Sequence, residues 1–316
     1  MTPLGSPAGN EEGSRNLGFP AGESKRVSHH ARSRSSGYHA GMVADPGSRA
    51  GPLPVLRGGR IRAASRIAAI AVWSAALTLL WTVVNLLLLP FPRTRVRWRH
   101  RIVGTWARGF AAMLGMRRTV VGSPPRAPYF LVSNHLSYVD IILLYTCLDG
   151  VFIAKREMRQ WPVLGPLAHL FGTVWVNREV RRDAVRVLEL IDKVVARGDG
   201  VILFAEGTTS SGQALLPIRP ALLDWAARKR FPVHYAALTY RTRPKDPPAH
   251  LAVGWWGEMP FGPHLLNLCR IRGFEAIVEF GAVPVSAGTR GELAQQVGKA
   301  IAEKFVPVWS NDLPPG

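Results

Sequence analysis

The first part of the chain shows no regular alternation of hydrophobic and polar positions. Residues 1–60 are rich in Gly, Ser, Pro, Ala and Arg, and they follow neither the repeat of a helix nor that of a strand. A segment of this kind cannot bury enough apolar surface to offset the conformational entropy lost on ordering. We therefore predict a disordered, basic segment over 1–60, within which Met42 is an alternative start to Met1.

A continuous apolar segment comes next. Residues 67–89 carry no charged side chain, and roughly 20 such residues span the hydrocarbon core of a bilayer. The segment is too long for a cleaved signal peptide, and no cleavage site made of small residues follows it. We predict a membrane helix here, within a membrane-anchoring region over 61–115.

The arginines around this helix bear on its orientation. They flank both of its ends, and the denser group, from Arg93 to Arg101, follows the helix. Because positively charged flanks tend to stay in the cytoplasm, we expect the inner (cytoplasmic) membrane, with the rest of the chain facing the cytoplasm. The alternative is a re-entrant or interfacial helix pair whose second helix covers 96–115.

Beyond the membrane region, short β-rich runs alternate with segments of helical periodicity. This alternation is typical of an α/β domain, and we predict one over 116–310, with a mixed, roughly seven-stranded sheet flanked by helices. Helices are predicted over 184–195, over 217–229 and after Thr289, which forms a capping-box pattern with Glu292. The candidate strands are 129–133, 151–154, 173–176, 201–205, 233–239, 250–255 and 274–280.

The charge balance indicates the kind of partner. The net charge is +19, from 40 basic and 21 acidic residues, and both a nucleic acid and an anionic membrane surface fit it. No motif of a DNA- or RNA-binding fold has its usual spacing, so we expect a lipid bilayer and no nucleic acid. Cys147 and Cys269 lie in separate apolar runs, which predicts buried thiols in a reducing compartment, without a disulfide or a cysteine zinc site.

A polar cluster follows the first predicted strand, where Ser133 to Asp140 read SNHLSYVD. On one ideal helix the side chains of His135 and Asp140 would point about 140° apart. They meet only if His135 precedes a helix whose first turn contains Asp140, and the carboxylate would then orient the imidazole as a general base. The competing interpretation is a helix cap formed by Ser137 and Asp140, with His135 merely lining a loop.

Polar residues also follow three later strands. The Arg178 guanidinium is able to grip a phosphate through two hydrogen bonds, although a solvated helix start also fits it. Lys155 is either a ligand for substrate charge or an ordinary surface lysine. After Glu206, Gly207 would let backbone amides approach a ligand closely; Glu206 itself would orient a head group or pair with Arg178.

Four blocks of residues carry a family resemblance. They are Asn134-His135-x4-Asp140, Gly172 to Arg178, Phe204 to Ser210, and Phe231 to Tyr235. In this order they resemble the signatures of the glycerolipid acyltransferases, the 1-acyl-sn-glycerol-3-phosphate acyltransferase superfamily. The resemblance implies an O-acyltransferase that moves a fatty acyl group from acyl carrier protein or acyl-CoA to the free hydroxyl of a lysolipid, with no cofactor and no metal.

The resemblance also implies a set of site residues. His135 and Asp140 would be catalytic, and a Pro-containing strand that includes Pro232 would shape the acyl pocket. The residues implied in substrate binding are Arg178, Glu206, Gly207, Thr208, Thr209 and Lys155.

Thr209 departs from the usual family pattern, because members that form phosphatidic acid typically have Arg at this position. Loss of that charge would weaken phosphate recognition by roughly 1.5–3 kcal/mol. The string from Glu206 to Gly212, together with Trp256-Gly257-Glu258-Met259 and Pro263-His264, resembles a branch that acylates lyso-ornithine lipid. Two acceptors therefore remain open, lysophosphatidic acid and lyso-ornithine lipid.

Functions of other classes account for less of the sequence. A non-catalytic membrane-binding module explains the apolar helix and its basic flanks, but it leaves His135, Asp140 and Glu206 unexplained. A hydrolase that uses the same histidine and carboxylate is a third hypothesis, which the release of free fatty acid would reveal.

Overall fold

The computed structural model describes residues 53–54, 56, 58–160, 164–176 and 181–308. Almost all of the segment predicted to be disordered lies outside these residues. Met42 and Arg178 also lie outside them.

Seven strands form one mixed sheet with the order β1-β7-β6-β2-β5-β3-β4. The five strands from β6 to β4 in this order run parallel to one another, β7 is antiparallel to β6, and β1 is parallel to β7. The predicted fold class is thereby confirmed. The strands are β1 (Met116–Val121), β2 (Phe130–Ser133), β3 (Val151–Lys155), β4 (Val174–Val176), β5 (Val201–Phe204), β6 (Val233–Thr242) and β7 (Phe274–Phe280).

Two strand assignments from the sequence need correction. The predicted strand over 250–255 is wrong, because Ala249–Ala252 form a short helix and the indole of Trp256 donates to the His250 carbonyl oxygen at 2.9 Å. This apolar run is buried by packing against the sheet and not by pairing within it. The edge strand β1 was not predicted, since its side chains are mostly exposed and show no apolar alternation.

Helices cover both faces of the sheet. The helices predicted over 184–195 and after Thr289 are present, and the one predicted over 217–229 is a 3-10 turn followed by a six-residue helix. At the last of them, the Thr289 hydroxyl accepts a hydrogen bond from the Glu292 amide at 3.3 Å, as the capping pattern predicts. The helices are α1 (Arg60–Leu87), α2 (Pro92–Leu114), α3 (Val139–Tyr145), α4 (Leu164–Leu170), α5 (Arg181–Ala196), α6 (Asp224–Lys229), α7 (Ala249–Ala252), α8 (Phe261–Arg270) and α9 (Arg290–Ala302), with 3-10 turns over Arg156–Gln160 and Pro220–Leu223.

The central strands are buried on both faces, which explains their continuous apolar sequences. On β2, Phe130 and Val132 pack with α5, α6 and α9, whereas Leu131 packs with α1, α2, α3 and α8. Cys269 lies fully buried in the second of these cores, but Cys147 is only partly buried, so the prediction of two buried thiols holds for Cys269 alone.

Helix α1 lies along the rest of the protein. Arg66 Nη1 donates to the Ile271 carbonyl oxygen at 2.7 Å, and Trp81 Nε1 donates to the Leu170 carbonyl oxygen at 3.0 Å. Between them, Trp73 Nε1 donates to the Trp106 carbonyl oxygen of α2 at 3.3 Å. These donors are 15 positions apart at most, about 22 Å along a helix, so one face of α1 is occupied by protein over that length.

The other face of α1 is apolar and exposed. Within the described part of the chain, α1 is the one helix long and apolar enough to cross a membrane. Its exposed apolar side chains continue into the turn before α2, and they include Ile67, Val72, Leu79, Leu80, Val83, Leu86, Leu87, Leu89 and Phe91.

Candidate active site

The loop between β2 and α3 brings His135 and Asp140 together. His135 lies in the turn before the helix and Asp140 in its first turn, which is the arrangement that their spacing requires. The imidazole Nδ1 is 2.7 Å from Asp140 Oδ2. The Asp140 side chain is completely buried, whereas 17% of the His135 side chain is exposed.

The Asp140 carboxylate organises the loop around it. Oδ2 also accepts hydrogen bonds from the backbone amides of Leu136 at 2.7 Å and Ser137 at 3.0 Å, and Oδ1 accepts one from the Tyr240 hydroxyl at 2.6 Å. The helix-cap interpretation and the catalytic one are therefore compatible, because the same carboxylate satisfies free amides before α3 and contacts the imidazole.

The imidazole is also fixed from the side. The ring of Phe204, the last residue of β5, stacks on His135 with ring centroids 3.8 Å apart and planes only 4° from parallel. Nδ1 is engaged by Asp140, and Nε2 makes no hydrogen bond to any residue that the structure describes. On this partly exposed side chain, Nε2 is the nitrogen left for a substrate.

Asn134 holds the loop against β6. The last register pair of β2 with β6 joins Ser133 to Ala236. Beyond it, Asn134 Nδ2 donates to the Leu238 carbonyl oxygen at 3.0 Å, and the Leu238 amide donates to Asn134 Oδ1 at 2.7 Å. The side-chain amide of Asn134 thus makes the two hydrogen bonds that a further backbone pair between β2 and β6 would have made.

A second loop, which follows β5, contains a buried carboxyl group. The Glu206 side chain is 2% exposed, and neither of its oxygens has a hydrogen-bond partner in the described structure. Burial raises the pKa of Glu206 well above its usual value, and the nearby negative charge of Asp140 adds to this rise. The backbone amides of His135 and Leu216 lie close enough to lower the pKa of Glu206 in part, but they do not reach hydrogen-bond geometry. The charged form of this carboxyl is therefore disfavoured as long as no cationic group lies beside it.

The Glu206 loop is tied to the His135 loop through the backbone. The Ser210 amide donates to the His135 carbonyl oxygen at 2.9 Å, and Arg219 Nε donates to the Glu206 carbonyl oxygen at 3.0 Å. Gly207 has a φ of 80°, a left-handed conformation that glycine adopts without strain. The two loops therefore form one connected site at the C-terminal ends of β2 and β5.

Comparisons with known proteins identify the family of this chain. The family model named Acyltransferase matches residues 117–238. The lyso-ornithine lipid O-acyltransferase of Rhizobium meliloti is 34% identical over 219 residues, which cover 65% of this chain and 74% of that protein. The chain belongs to the lysolipid O-acyltransferase family.

Two further relatives place this acyltransferase more broadly. The 1-acyl-sn-glycerol-3-phosphate acyltransferase of Neisseria meningitidis serogroup B is 36% identical over 144 residues, 45% of this chain and 56% of that protein. The crystal structure of the 1-acyl-sn-glycerophosphate (LPA) acyltransferase PlsC from Thermotoga maritima has a TM-score of 0.57 and 19% identity, and it covers 80% of this chain and all of that one. The shared fold is evident from this structural match.

The structure places the other predicted site residues of the acyltransferase as follows. Thr208 and Thr209 are half-buried in the Glu206 loop. Lys155 is exposed at the end of β3, at the same sheet edge as His135. Pro232 is exposed and precedes β6, whose first residue pairs with the first residue of β2. It therefore lies at the opposite edge, and the geometry does not bring it to His135.

Two residues of the acyltransferase site were not predicted in their roles. Phe204 was part of a motif, but its stacking on His135 needs the adjacency of β2 and β5, which no sequence spacing reveals. Tyr240 is 100 residues from Asp140 and falls one residue beyond the predicted strand 233–239. An aromatic residue with a polar tip in a buried strand was the available signal, because such a hydroxyl usually has a partner.

Proposed function

We propose that this acyltransferase moves a fatty acyl group from a thioester donor, acyl-CoA or acyl carrier protein, to the free hydroxyl of a lysolipid, with His135 as the general base. The observation that carries the proposal is the 2.7 Å contact between His135 Nδ1 and Asp140 Oδ2. It fixes the tautomer in which Nε2 is unprotonated and able to accept a proton.

The reaction is a direct transfer. Nε2 of His135 accepts the proton of the acceptor hydroxyl as its oxygen attacks the thioester carbonyl carbon. The tetrahedral intermediate then collapses, the carbon–sulfur bond breaks, and the imidazolium returns its proton to the departing thiolate. Asp140 stabilises the imidazolium between these steps. No acyl-enzyme is proposed, because Ser133, Ser137 and Ser210 lack a nucleophile-elbow sequence.

Lyso-ornithine lipid is the acceptor that the observations favour. The relative from Rhizobium meliloti carries that activity in its name, and Thr209 supplies no positive charge to a phosphate. In the same loop as Thr209, the Glu206 carboxyl is buried without a partner in the described structure. An unpaired carboxyl group attracts the ammonium group of ornithine and repels a phosphate dianion. Lysophosphatidic acid is the second candidate, favoured by the relatives from Neisseria and by Arg178 in the sequence.

The reaction would take place at the membrane surface. Because protein occupies one face of α1 between Arg66 and Trp81, we infer that α1 lies in the interface with its exposed apolar face in one leaflet, and does not cross the bilayer. Arginines of α2, such as Arg95 and Arg97, would then meet anionic head groups of the inner membrane from the cytoplasmic side.

His135→Ala tests the proposed chemistry. Purified enzyme in mixed micelles would be given labelled acyl-CoA or acyl carrier protein, with either lysolipid as acceptor. We expect His135→Ala to lower transfer by at least about 100-fold, the usual contribution of a general base, with an unchanged thermal unfolding temperature. His234→Gln is the matched control, because this half-buried histidine lies near the start of β6 at the opposite sheet edge.

The acceptor arms of the same assay separate the candidates. We expect acylated ornithine lipid to form faster than phosphatidic acid. A preference for lysophosphatidic acid would overturn the acceptor assignment and leave the chemistry intact. Full transfer by His135→Ala would overturn the chemistry, and labelled free fatty acid without acylated lipid would identify a hydrolase.

A further inference from the structure

Tyr240 approaches the side of Asp140 that faces away from the imidazole. Its hydroxyl donates to Asp140 Oδ1 at 2.6 Å, and the side chain is 1% exposed. The residue lies on β6 two positions after Leu238, whose backbone binds the Asn134 side chain. One strand therefore holds the His135 loop at both of its ends.

The two carboxylate oxygens of Asp140 are satisfied by different groups. Oδ2 serves His135 and two backbone amides, whereas the Tyr240 hydroxyl is the single partner of Oδ1 among the described residues. A buried acceptor that loses its partner costs free energy. Without the hydroxyl, the carboxylate would be free to rotate and would hold the imidazole less firmly.

We propose that Tyr240 is a positioning residue of the transfer reaction: its hydroxyl fixes the Asp140 carboxylate and withdraws part of its negative charge from His135. The proposal rests on His135 acting as the base. Tyr240 acts through Asp140 and touches neither substrate.

The charge effect has a definite sign. His135 accepts a proton only when it is neutral, so the rate falls at low pH. A hydrogen bond to Oδ1 partly neutralises Asp140 and thereby stabilises the imidazolium less than a bare carboxylate would. Removing the hydroxyl gives Asp140 more charge to share with His135, which raises the pH at which the imidazole loses its proton.

Other titratable groups near the pair stay constant in this comparison. Apart from Tyr240 on β6, the structure places Glu206, from the loop after β5, next to Asp140. Phe204 of β5 and Leu136 before α3 bring no charge. Because the wild type and the Tyr240 variant both keep Glu206, we attribute to the hydroxyl a difference between their pH profiles that Tyr129→Phe does not show.

The test is Tyr240→Phe, which removes one oxygen atom and keeps the buried ring. Tyr129→Phe is the matched control, since this side chain is also 1% exposed and its hydroxyl donates to the Asp149 carbonyl oxygen at 2.8 Å, away from the site. We expect kcat of Tyr240→Phe to fall roughly 10- to 100-fold, the worth of a hydrogen bond to a charged group, with KM for both substrates changed less than about twofold.

The pH profile separates positioning from a structural role. We expect the acid limb of kcat to move upward by about half a pH unit or more in Tyr240→Phe and to stay in place in Tyr129→Phe. Replacement of Tyr240 by 3-fluorotyrosine, whose hydroxyl is the stronger donor, is expected to move the limb downward and to retain most of the rate.

Each outcome decides the matter. The proposal would be overturned if Tyr240→Phe kept the kcat of the wild type and the acid limb of its pH profile. It would also be overturned if Tyr240→Phe and Tyr129→Phe lost the same amount of rate and the acid limb moved in neither variant. If His135→Ala retains full activity, the proposed base is wrong instead, and this result is read independently of Tyr240.

Discussion

Two carboxyl groups lie side by side in this acyltransferase, and their surroundings differ. Asp140 accepts four hydrogen bonds, two of them from backbone amides, whereas both oxygens of Glu206 lack a partner in the described structure. A charged carboxylate is stabilised by the first environment and destabilised by the second. In the proposed mechanism the two acids have different tasks: Asp140 would stabilise the positive charge on His135, and Glu206 would bind a group of the acceptor.

Glu206→Gln should make the protein more stable at neutral pH. Burial holds the pKa of Glu206 above its unfolded value, so the native state binds a proton more tightly, and stability is lost as pH rises from the unfolded pKa through the folded one. Glutamine removes this loss. We expect unfolding at pH 7.5 to require about 1–3 kcal/mol more than in the wild type, because glutamine cannot ionise and burial of an unpaired group costs more when the group is charged.

Thermal unfolding over a pH series checks this prediction. The stabilisation by Glu206→Gln should shrink towards pH 4, where the carboxyl is protonated in both the folded and the unfolded state. A gain in stability that is the same at every pH would contradict this prediction.

Glu206→Gln should also lose transfer activity if Glu206 binds the acceptor.

Proximity in the sequence decided which site residues were predictable. His135 and Asp140 belong to one turn, so local geometry restricts how they can meet. Tyr240 reaches the same carboxylate from 100 residues away, and nothing in either local sequence specifies that β6 and β2 are neighbours. Pro232 shows the converse, because a motif position was assigned to the site although its end of β6 lies at the other sheet edge.

At the scale of elements, Arg66 makes three of the hydrogen bonds that attach α1 to the rest of the protein. Besides the Ile271 contact, Arg66 Nη2 donates to the Arg272 carbonyl oxygen at 2.9 Å and Nη1 to that of Cys269 at 3.3 Å. These carbonyl groups lie at the C-terminal end of α8, where backbone acceptors lack helical partners and favour a cation. The apolar periodicity predicted the helix, but not the surface on which it lies.

Arg66→Ala should weaken this attachment. We expect a loss of about 1–3 kcal/mol, because several partly buried carbonyl groups lose a charged donor, and hence a fall in unfolding temperature of about 2–4 °C for each kcal/mol. Differential scanning calorimetry in detergent would measure it. Arg60→Ala removes the same charge from an exposed position of α1, and an equal effect in that variant would contradict the assigned role of Arg66.

For the whole molecule, the exposed apolar face of α1 is the surface that we propose to bind the membrane. Leu79, Leu86 and Leu87 are 67%, 66% and 70% exposed, and burial of such side chains in lipid is worth about 1.5–3 kcal/mol each. Replacing all three with Asn should weaken binding to anionic vesicles by at least about tenfold for each residue in a flotation assay.

The matched control for membrane binding is Val185→Asn, at an apolar residue that is 59% exposed on α5, on the other face of the sheet. Vesicle binding should not change in this variant. Transfer in detergent micelles should survive in the α1 variant, because the substitutions leave His135 untouched. Unchanged flotation of the α1 variant would show that another surface holds the membrane.

The pairing of the edge strand has a consequence for the order of events during synthesis. β1 follows α2 directly, yet its one neighbour in the sheet is β7, close to the end of the described chain. A chain that leaves the ribosome from its N-terminus therefore presents the apolar helix α1 and the arginine-rich helix α2 long before β1 finds a partner or Tyr240 reaches Asp140. The loop that holds His135 therefore gains its last contact only after β6 has been made, and the edge of the sheet closes only after β7 has been made.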